Sequence, residues 1–286
     1  MASMRDIKRR KGSIQSTGQI TKAMKLVSTV KLQRSKQIAE NSRDYFEYMY
    51  RTVQSMLAKS GEIDHPFVKE SDCKKKAVIM ITGNRGLAGG YNSNVIKLIT
   101  RGNLPKEDLV MYTLGKKGRE AMNRNGYELA EDYSAMIDAP QYIDAMRLCS
   151  VLLNSFKAGE IGEIYLAYTH FKNTVSHEPK LIKLLPVEAV ESEELTEEKG
   201  EAPMNFEPEE EEALDMIIPK YVTSLIYGAM LESVASENGA RMQAMDNATS
   251  NAEEMIDKLT LLYNRARQGS ITQELTEIIA GSQAQS

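Results

Sequence analysis

Apolar residues recur along the first 60 residues at the spacing of a single helix face. Ile7, Ile14, Ile20, Met24, Val27, Ile38, Tyr45, Met49, Val53 and Met56 are mostly three, four or seven apart, and Lys and Arg fill the other faces. Ser3-Met4-Arg5-Asp6 opens the segment with a capping-box pattern. The spacing predicts one helix of about 55 residues, roughly 80 Å long at 1.5 Å per residue. An ordinary helix has about 11–12 residues, so this one needs a partner along its length. The C-terminal segment carries the matching pattern. Met242, Met245, Thr249, Ala252, Ile256, Leu259, Tyr263 and Ala266 alternate in steps of three and four, the heptad spacing of a coiled coil. The series extends upstream through Ile218, Val222, Leu225 and Ala229 and downstream through Ile271, Leu275 and Ile278. It predicts a second helix from about 210 to 280, on the order of 100 Å long. Its seam uses Met, Ala and Thr in place of steady Leu and Ile, which allows close approach but specifies geometry weakly.

Between the two helices the pattern changes. All eight prolines lie between Pro66 and Pro219, and proline breaks helices. In that interval the runs Ala77–Ile81, Leu109–Tyr112 and Ile164–Tyr168 read as short buried strands, and Leu181–Val187 as an edge strand. Helical stretches near 92–101, 116–125 and 141–158 separate them. Alternation of strand and helix argues for a parallel sheet with covering helices. The fold class is α/β with long helical extensions: an antiparallel coiled coil of N- and C-terminal helices, residues 1–60 and 210–286, plus an inserted Rossmann-like α/β domain at 74–190. An acidic loop at 191–209 joins that domain to the second helix.

Composition narrows the chemistry. At 42% hydrophobic and 27% charged over 286 residues, the chain is too apolar for wholesale disorder. Its two cysteines, Cys73 and Cys149, cannot make a disulfide scaffold, and His65, His170 and His177 share no metal-ligand spacing with them. No run approaches the ~18 apolar residues of a membrane span. The net charge of −4 conceals an asymmetry. Residues 1–43 carry eleven Lys or Arg against Asp6 and Glu40, whereas 187–215 carry thirteen acids against Lys199. A basic arm fits a polyanion or an acidic protein partner, and the sequence alone does not separate the two.

Catalytic motifs are weak. Gly83-Asn84-Arg85-Gly86-Leu87-Ala88-Gly89-Gly90 follows a strand and precedes a helix, the place where glycines let backbone amides approach a phosphate. Its G-x-x-G-x-x-G-G spacing is not G-x-G-x-x-G, and no G-K-[ST] follows. The loop reads as a tight crossover, with Gly86 expected at a positive φ. Leu114-Gly115-Lys116-Lys117-Gly118 has the look of a P-loop fragment but lacks the upstream glycine and the Ser/Thr. No nucleophile and base can be paired around His170 or His177. No catalytic residue, cofactor or metal is predicted, and the remaining alternatives are a nucleotide-binding enzyme and a nucleic-acid scaffold.

The ends of the chain decide between them. Ile20-Thr21-Lys22-Ala23-Met24-Lys25-Leu26-Val27-Ser28 lies in the first helix, and Ser236–Met245 and Asn247–Ala252 lie in the last. Tyr263-Asn264-Arg265-Ala266-Arg267-Gln268-Gly269-Ser270-Ile271-Thr272-Gln273-Glu274-Leu275 follows. These strings closely resemble the gamma subunits of F-type ATP synthases, over essentially the whole chain. The loop at 84–92 resembles that family's S-D-R-G-L-C-G-G-x-N, except that Thr82-Gly83-Asn84 replaces the usual serine and aspartate and Ala88 the frequent cysteine.

The resemblance implies a central-stalk rotor shaft, non-catalytic itself. It would transmit torque between the membrane c ring and the alpha/beta catalytic ring, coupling proton flow to ATP synthesis or hydrolysis. Its expected partners are the alpha, beta and epsilon subunits and the c-subunit ring, with no nucleic acid. By resemblance, Met24, Lys25, Arg267, Gln268, Thr272 and Glu274 contact beta, and Asn205, Phe206 and Glu207, ahead of Pro208, form a foot beside epsilon or the c ring. The family's paired regulatory cysteines are absent from this chain. A bacterial source and a peripheral position on the cytoplasmic face of the plasma membrane are the corresponding expectations.

Overall fold

The computed structural model describes residues 3–59, 65–69, 71–174, 176–187 and 210–284. Asn205, Phe206, Glu207 and the whole of the acidic loop at 191–209 therefore lie outside the described residues. The chain divides into two compact units, Val30–Ala240 and the two terminal segments Met1–Thr29 with Arg241–Ser286. Two long helices contribute to both: α1 (Met4–Lys59), which starts directly behind Ser3, and one of 75 residues from Glu210 to Ala284.

The larger unit contains β1 (Lys76–Ile81), α2 (Tyr91–Thr100), β2 (Leu109–Leu114), α3 (Lys116–Arg124), β3 (Glu128–Asp132), α4 (Tyr142–Lys157), β4 (Glu163–Phe171) and β5 (His177–Leu185). The long C-terminal helix follows as α5. The strands form one sheet in the order β3-β2-β1-β4-β5. The pairs β1–β2, β1–β4 and β2–β3 are parallel, and β5 runs antiparallel to β4. The expected alternation is present, with two differences. The sequence reading missed β3, whose Glu128-Leu129-Ala130-Glu131-Asp132 is a charged, half-exposed edge and carries no apolar run. The edge strand β5 starts at His177, four residues before the expected Leu181.

Strand alternation sends side chains to two layers. Ala77, Ile79 and Ile81 of β1, Tyr112 and Leu114 of β2, and Ile164 and Leu166 of β4 share a core with Leu148, Leu152 and Phe156 of α4. The same core takes Val53, Met56 and Leu57 from α1 and Leu214, Ile218, Val222, Ile226 and Met230 from α5. On the opposite face Val78, Met80, Met111 and Ala167 pack on Val95 and Ile99 of α2 and Met122 of α3. The long helices thus supply part of the domain's hydrophobic core. This explains why α5 continues through Pro219, where one backbone bond of the helix is necessarily missing. Leu214, Ile218 and Val222 are fully buried on both sides of the proline, and burial of this size outweighs a single lost bond. Beside it, burial pushes the Cys149 thiol up to about 11, the Thr223 hydroxyl opposing the shift.

Gly115 shows why the turn into α3 needs glycine. Its φ is +124°, and a Cβ there would sit 2.1 Å from the Thr82 carbonyl oxygen. Gly115→Ala is therefore expected to cost the folded chain about 3 kcal/mol, since backbone must move. Urea unfolding of the purified chain measures it, and a loss below about 0.5 kcal/mol, the surface-substitution range, would contradict this account of the turn.

Candidate functional site

In the smaller unit the first 26 residues of α1 and the last 44 of α5 form an antiparallel pair. The register is fixed by three neighbours in succession. A Cβ on Gly18 would lie 3.4 Å from the Ala252 Cβ. The Thr21 and Thr249 hydroxyls are 2.8 Å apart, and Lys25 Nζ donates to Asp246 Oδ1 at 2.6 Å. The same register sets Met4 level with Ala266, so beyond that point α5 has no helix beside it among the described residues.

The α5 seam follows the heptad as read. Met245, Ala252 and Leu259 are buried, and Met242, Thr249, Ile256, Tyr263 and Ala266 are half-buried. Its downstream extension does not continue the seam: Ile271, Leu275 and Ile278 are exposed, because α1 has ended. The α1 seam differs from the apolar stripe. Ile7 and Ile14 lie on it, but it then runs through Gly18, Thr21, Lys25 and Ser28. Ile20 (61% exposed) and Val27 (58%) point outward instead, joined by Leu26. In the larger unit Ile38 and Tyr45 are likewise exposed, while Leu32, Ser35, Val53 and Met56 are buried. Small polar residues occupy the contact because two backbones this close leave no room for a branched side chain, so the larger apolar residues are displaced to the outer face.

The residues expected to meet a partner fall into two groups. Met24 is half-buried beside the seam, and Lys25 is committed to Asp246. Arg267, Gln268, Thr272 and Glu274 are all exposed, just past the level where α1 begins. Helical spacing arranges them in adjacent rows with exposed apolar residues. Arg267, Ile271, Glu274 and Ile278 make one row, and Gln268, Thr272, Leu275 and Ile279 the next. Roughly 20 residues of helix, about 30 Å, separate this tip from Lys25. Sequence reading missed Thr21, Asp246 and Thr249 as a polar pin. An acid and a base placed at matching heptad positions of the two helices was the signal that could have found it.

The glycine loop of the larger unit is folded upon itself. The Gly83 amide donates to Asn92 Oδ1 and the Tyr91 amide to the Ala88 carbonyl. Asn84 donates to the Ser134 carbonyl and accepts from the Lys116 amide. The amides at the two ends of the loop, Gly83 and Tyr91, are thus already engaged. The positive φ falls on Leu87 (+62°) and Gly89 (+54°), not on Gly86, where an added Cβ would meet open space. Leu87 and Arg85 point to solvent. His170 is held by Glu232 at 2.7 Å, and burial holds His177 below the ordinary histidine range. Among the described residues no cluster of His, Cys, Asp and Glu could hold a metal ion, and no helix is long and apolar enough to cross a membrane.

The sequence profile of the ATP synthase family matches residues 3–285. The chain is 63% identical to the ATP synthase gamma chain of Lachnoclostridium phytofermentans over 99% of both chains. It is 43% identical to the sodium-ion-specific ATP synthase gamma chain of Acetobacterium woodii, over 99% of this chain and 98% of the other. In the Tetrahymena thermophila mitochondrial ATP synthase, solved as central stalk and c-ring, a chain 26% identical superposes with a TM-score of 0.59, covering 80% of this chain and 99% of that one. A chain of the Euglena gracilis mitochondrial ATP synthase shares the fold with a TM-score of 0.71 at 18% identity, covering 98% and 94%.

The seam and the outer face of α1 should respond oppositely to substitution. Ile20→Ser and Val27→Ser are expected to change the unfolding free energy of the isolated chain by less than about 0.5 kcal/mol. Gly18→Leu, which forces a side chain against Ala252, should cost about 1–3 kcal/mol. Equal losses from all three in urea titrations would show that the seam has been drawn on the wrong face.

Proposed function

The chain belongs to the ATP synthase gamma-chain family, and from that premise we propose that its paired terminal helices turn inside a ring of alpha and beta subunits. As a gamma chain it is the non-catalytic rotor subunit of the central stalk, part of the ATP synthase complex. The observation that carries the proposal is the tip of α5. Ile271, Leu275, Ile278 and Ile279 are 48–67% exposed on a helix without a partner among the described residues. Such rows need cover in water, and a surrounding sleeve can cover them while leaving the shaft free to rotate. Ile20, Leu26 and Val27 offer a second apolar surface lower on the same unit.

Within that sleeve Arg267, Gln268, Thr272 and Glu274 are the proposed contacts with beta at the tip, and Met24 and Lys25 those beside its acidic segment. Lys8, Arg10 and Lys22 are exposed along α1, so the shaft presents positive charge without one fixed anchor. The 1–60 and 210–286 helices would act as the shaft and the 74–190 domain as the part that meets the epsilon subunit and the c-subunit ring. The exposed Ile143, Met146 and Val151 of α4 support a protein partner there. Asn205, Phe206 and Glu207 are proposed as the foot at the same contact, on resemblance alone. The transported ion is proposed as the proton, although a sodium-specific relative is 43% identical. The proposed position is peripheral, on the cytoplasmic face of a bacterial plasma membrane.

Recovery of the chain with alpha and beta subunits in substoichiometric amount is the direct test. In that complex, Arg267→Ala with Gln268→Ala should leave assembly intact and lower multisite ATP turnover by about one to two orders of magnitude, the loss of a charged hydrogen bond at a conformational step. Turnover equal to that of the unmutated complex would remove these two residues from the torque-bearing contact.

A further inference from the structure

The middle of the sheet is a topological switch point. β1 has β2 on one side and β4 on the other, and doubly wound domains bind their ligands at the carboxyl ends of such strands. Here that place is filled by the chain itself, by the turns of α5 from Glu232 to Gly239. Glu232 Oε2 lies 2.7 Å from His170 Nδ1 and accepts the Phe171 amide at 3.3 Å. Ser233 Oγ accepts the Thr169 amide at 3.4 Å, and Ser236 Oγ donates to the Thr169 carbonyl at 3.3 Å. Ser233, Ser236 and Thr169 are all buried.

Two glycines admit this close approach. A Cβ at Gly83, just past β1, would lie 2.7 Å from a Glu237 carboxylate oxygen. A Cβ at Gly239 would lie 2.8 Å from the His177 ring at the start of β5. One stretch of helix therefore meets the ends of β1 and β4 and the beginning of β5.

The chemistry of this contact differs from that of the rest of α5 in the domain. From Leu214 to Met230 the helix is held mainly by apolar packing, which is non-directional, with Asp215 paired to Lys157 near its start and the Cys149 thiol on the Pro219 carbonyl. At 232–236 the helix is held by hydrogen bonds to strand backbone, which have preferred directions and leave buried groups unsatisfied if broken. Ala240 is the last residue of this unit, and the chain enters the other at Arg241.

We propose that the crevice position at the strand ends of the α/β domain is a torsional socket, in which Glu232, with Ser233 and Ser236, keys α5 to the strand ends so that twist passes between domain and shaft. Glu232 is a positioning residue: it touches neither nucleotide nor ion. The proposal rests on the rotor role and adds to it the residues that resist slip.

The test uses the whole complex reconstituted in liposomes, reading the ratio of ATP-driven ion uptake to ATP hydrolysis. Glu232→Ala is expected to lower that ratio about tenfold, as loss of a charged, partly buried bond permits, with hydrolysis by the detached catalytic sector unchanged. Glu232→Gln retains an acceptor for the Phe171 amide and should recover most of the ratio. Ile226→Val, which only thins the apolar packing of the same helix, should leave it unchanged. If Glu232→Ala is not recovered with alpha and beta, a ratio for Glu232→Gln lying measurably below the unmutated value supports the socket and an identical ratio overturns it. An unchanged ratio in Glu232→Ala, or an equal fall in Ile226→Val, also overturns it. Failure of the unmutated chain to assemble with alpha and beta would instead refute the rotor role itself.

Discussion

Close approach of two helical backbones is the constraint on which the smaller unit depends. Gly18 against Ala252 leaves 3.4 Å for a single added carbon. At that separation a seam of leucines does not fit, and the residues that do fit bury little apolar area. The hydrophobic term is correspondingly small, so register falls to directional contacts: Thr21 with Thr249 and Lys25 with Asp246. Each is modest. A neutral hydrogen bond contributes about 0.5–1.5 kcal/mol and an exposed ion pair about 0.2–1 kcal/mol. A pair held this lightly can be thin and still keep one register, which would suit the proposed shaft.

The same constraint accounts for the outward-facing apolar residues. Ile20, Leu26 and Val27 cannot enter a seam built for glycine and threonine, and Ile271 through Ile279 have no helix opposite them among the described residues. In an isolated protein these rows would be a liability. In the proposed sleeve they would be the bearing face, because the hydrophobic effect is non-directional.

In the larger unit α5 also meets strand ends, through hydrogen bonds with the Phe171 amide and the Thr169 backbone. The sheet keeps the parallel order that usually presents a ligand crevice, but Gly83 and Gly239 bring helix and strand ends into contact and the crevice is filled by polar side chains of α5. The glycine loop, whose position after β1 suggests phosphate binding, spends its Gly83 and Tyr91 amides on Asn92 and Ala88. Position in a fold is therefore a poor guide to chemistry when the donors are already engaged.

Much of the architecture was legible in the sequence because it rests on local regularities. The heptad from Met242 to Ala266 marks a buried face whatever partner it meets, and runs such as Ala77–Ile81 must be covered on both sides. The string from Tyr263 to Leu275 carried the family resemblance without any coordinates. What escaped was set by distance between backbones, which no single-chain pattern encodes. The seam of α1 was drawn through Ile20 and Val27 because hydrophobicity predicts burial only where there is room for the side chain. β3 was missed because an edge strand needs only one neighbour and no apolar run. The grip of Glu232 on Phe171 joins residues 61 positions apart, and the pin of Lys25 on Asp246 residues 221 apart. Charged residues are common at such sites in any exposed helix, so only the tertiary structure, by placing an acceptor within reach of a strand's backbone amide, could tell these apart from ordinary surface residues.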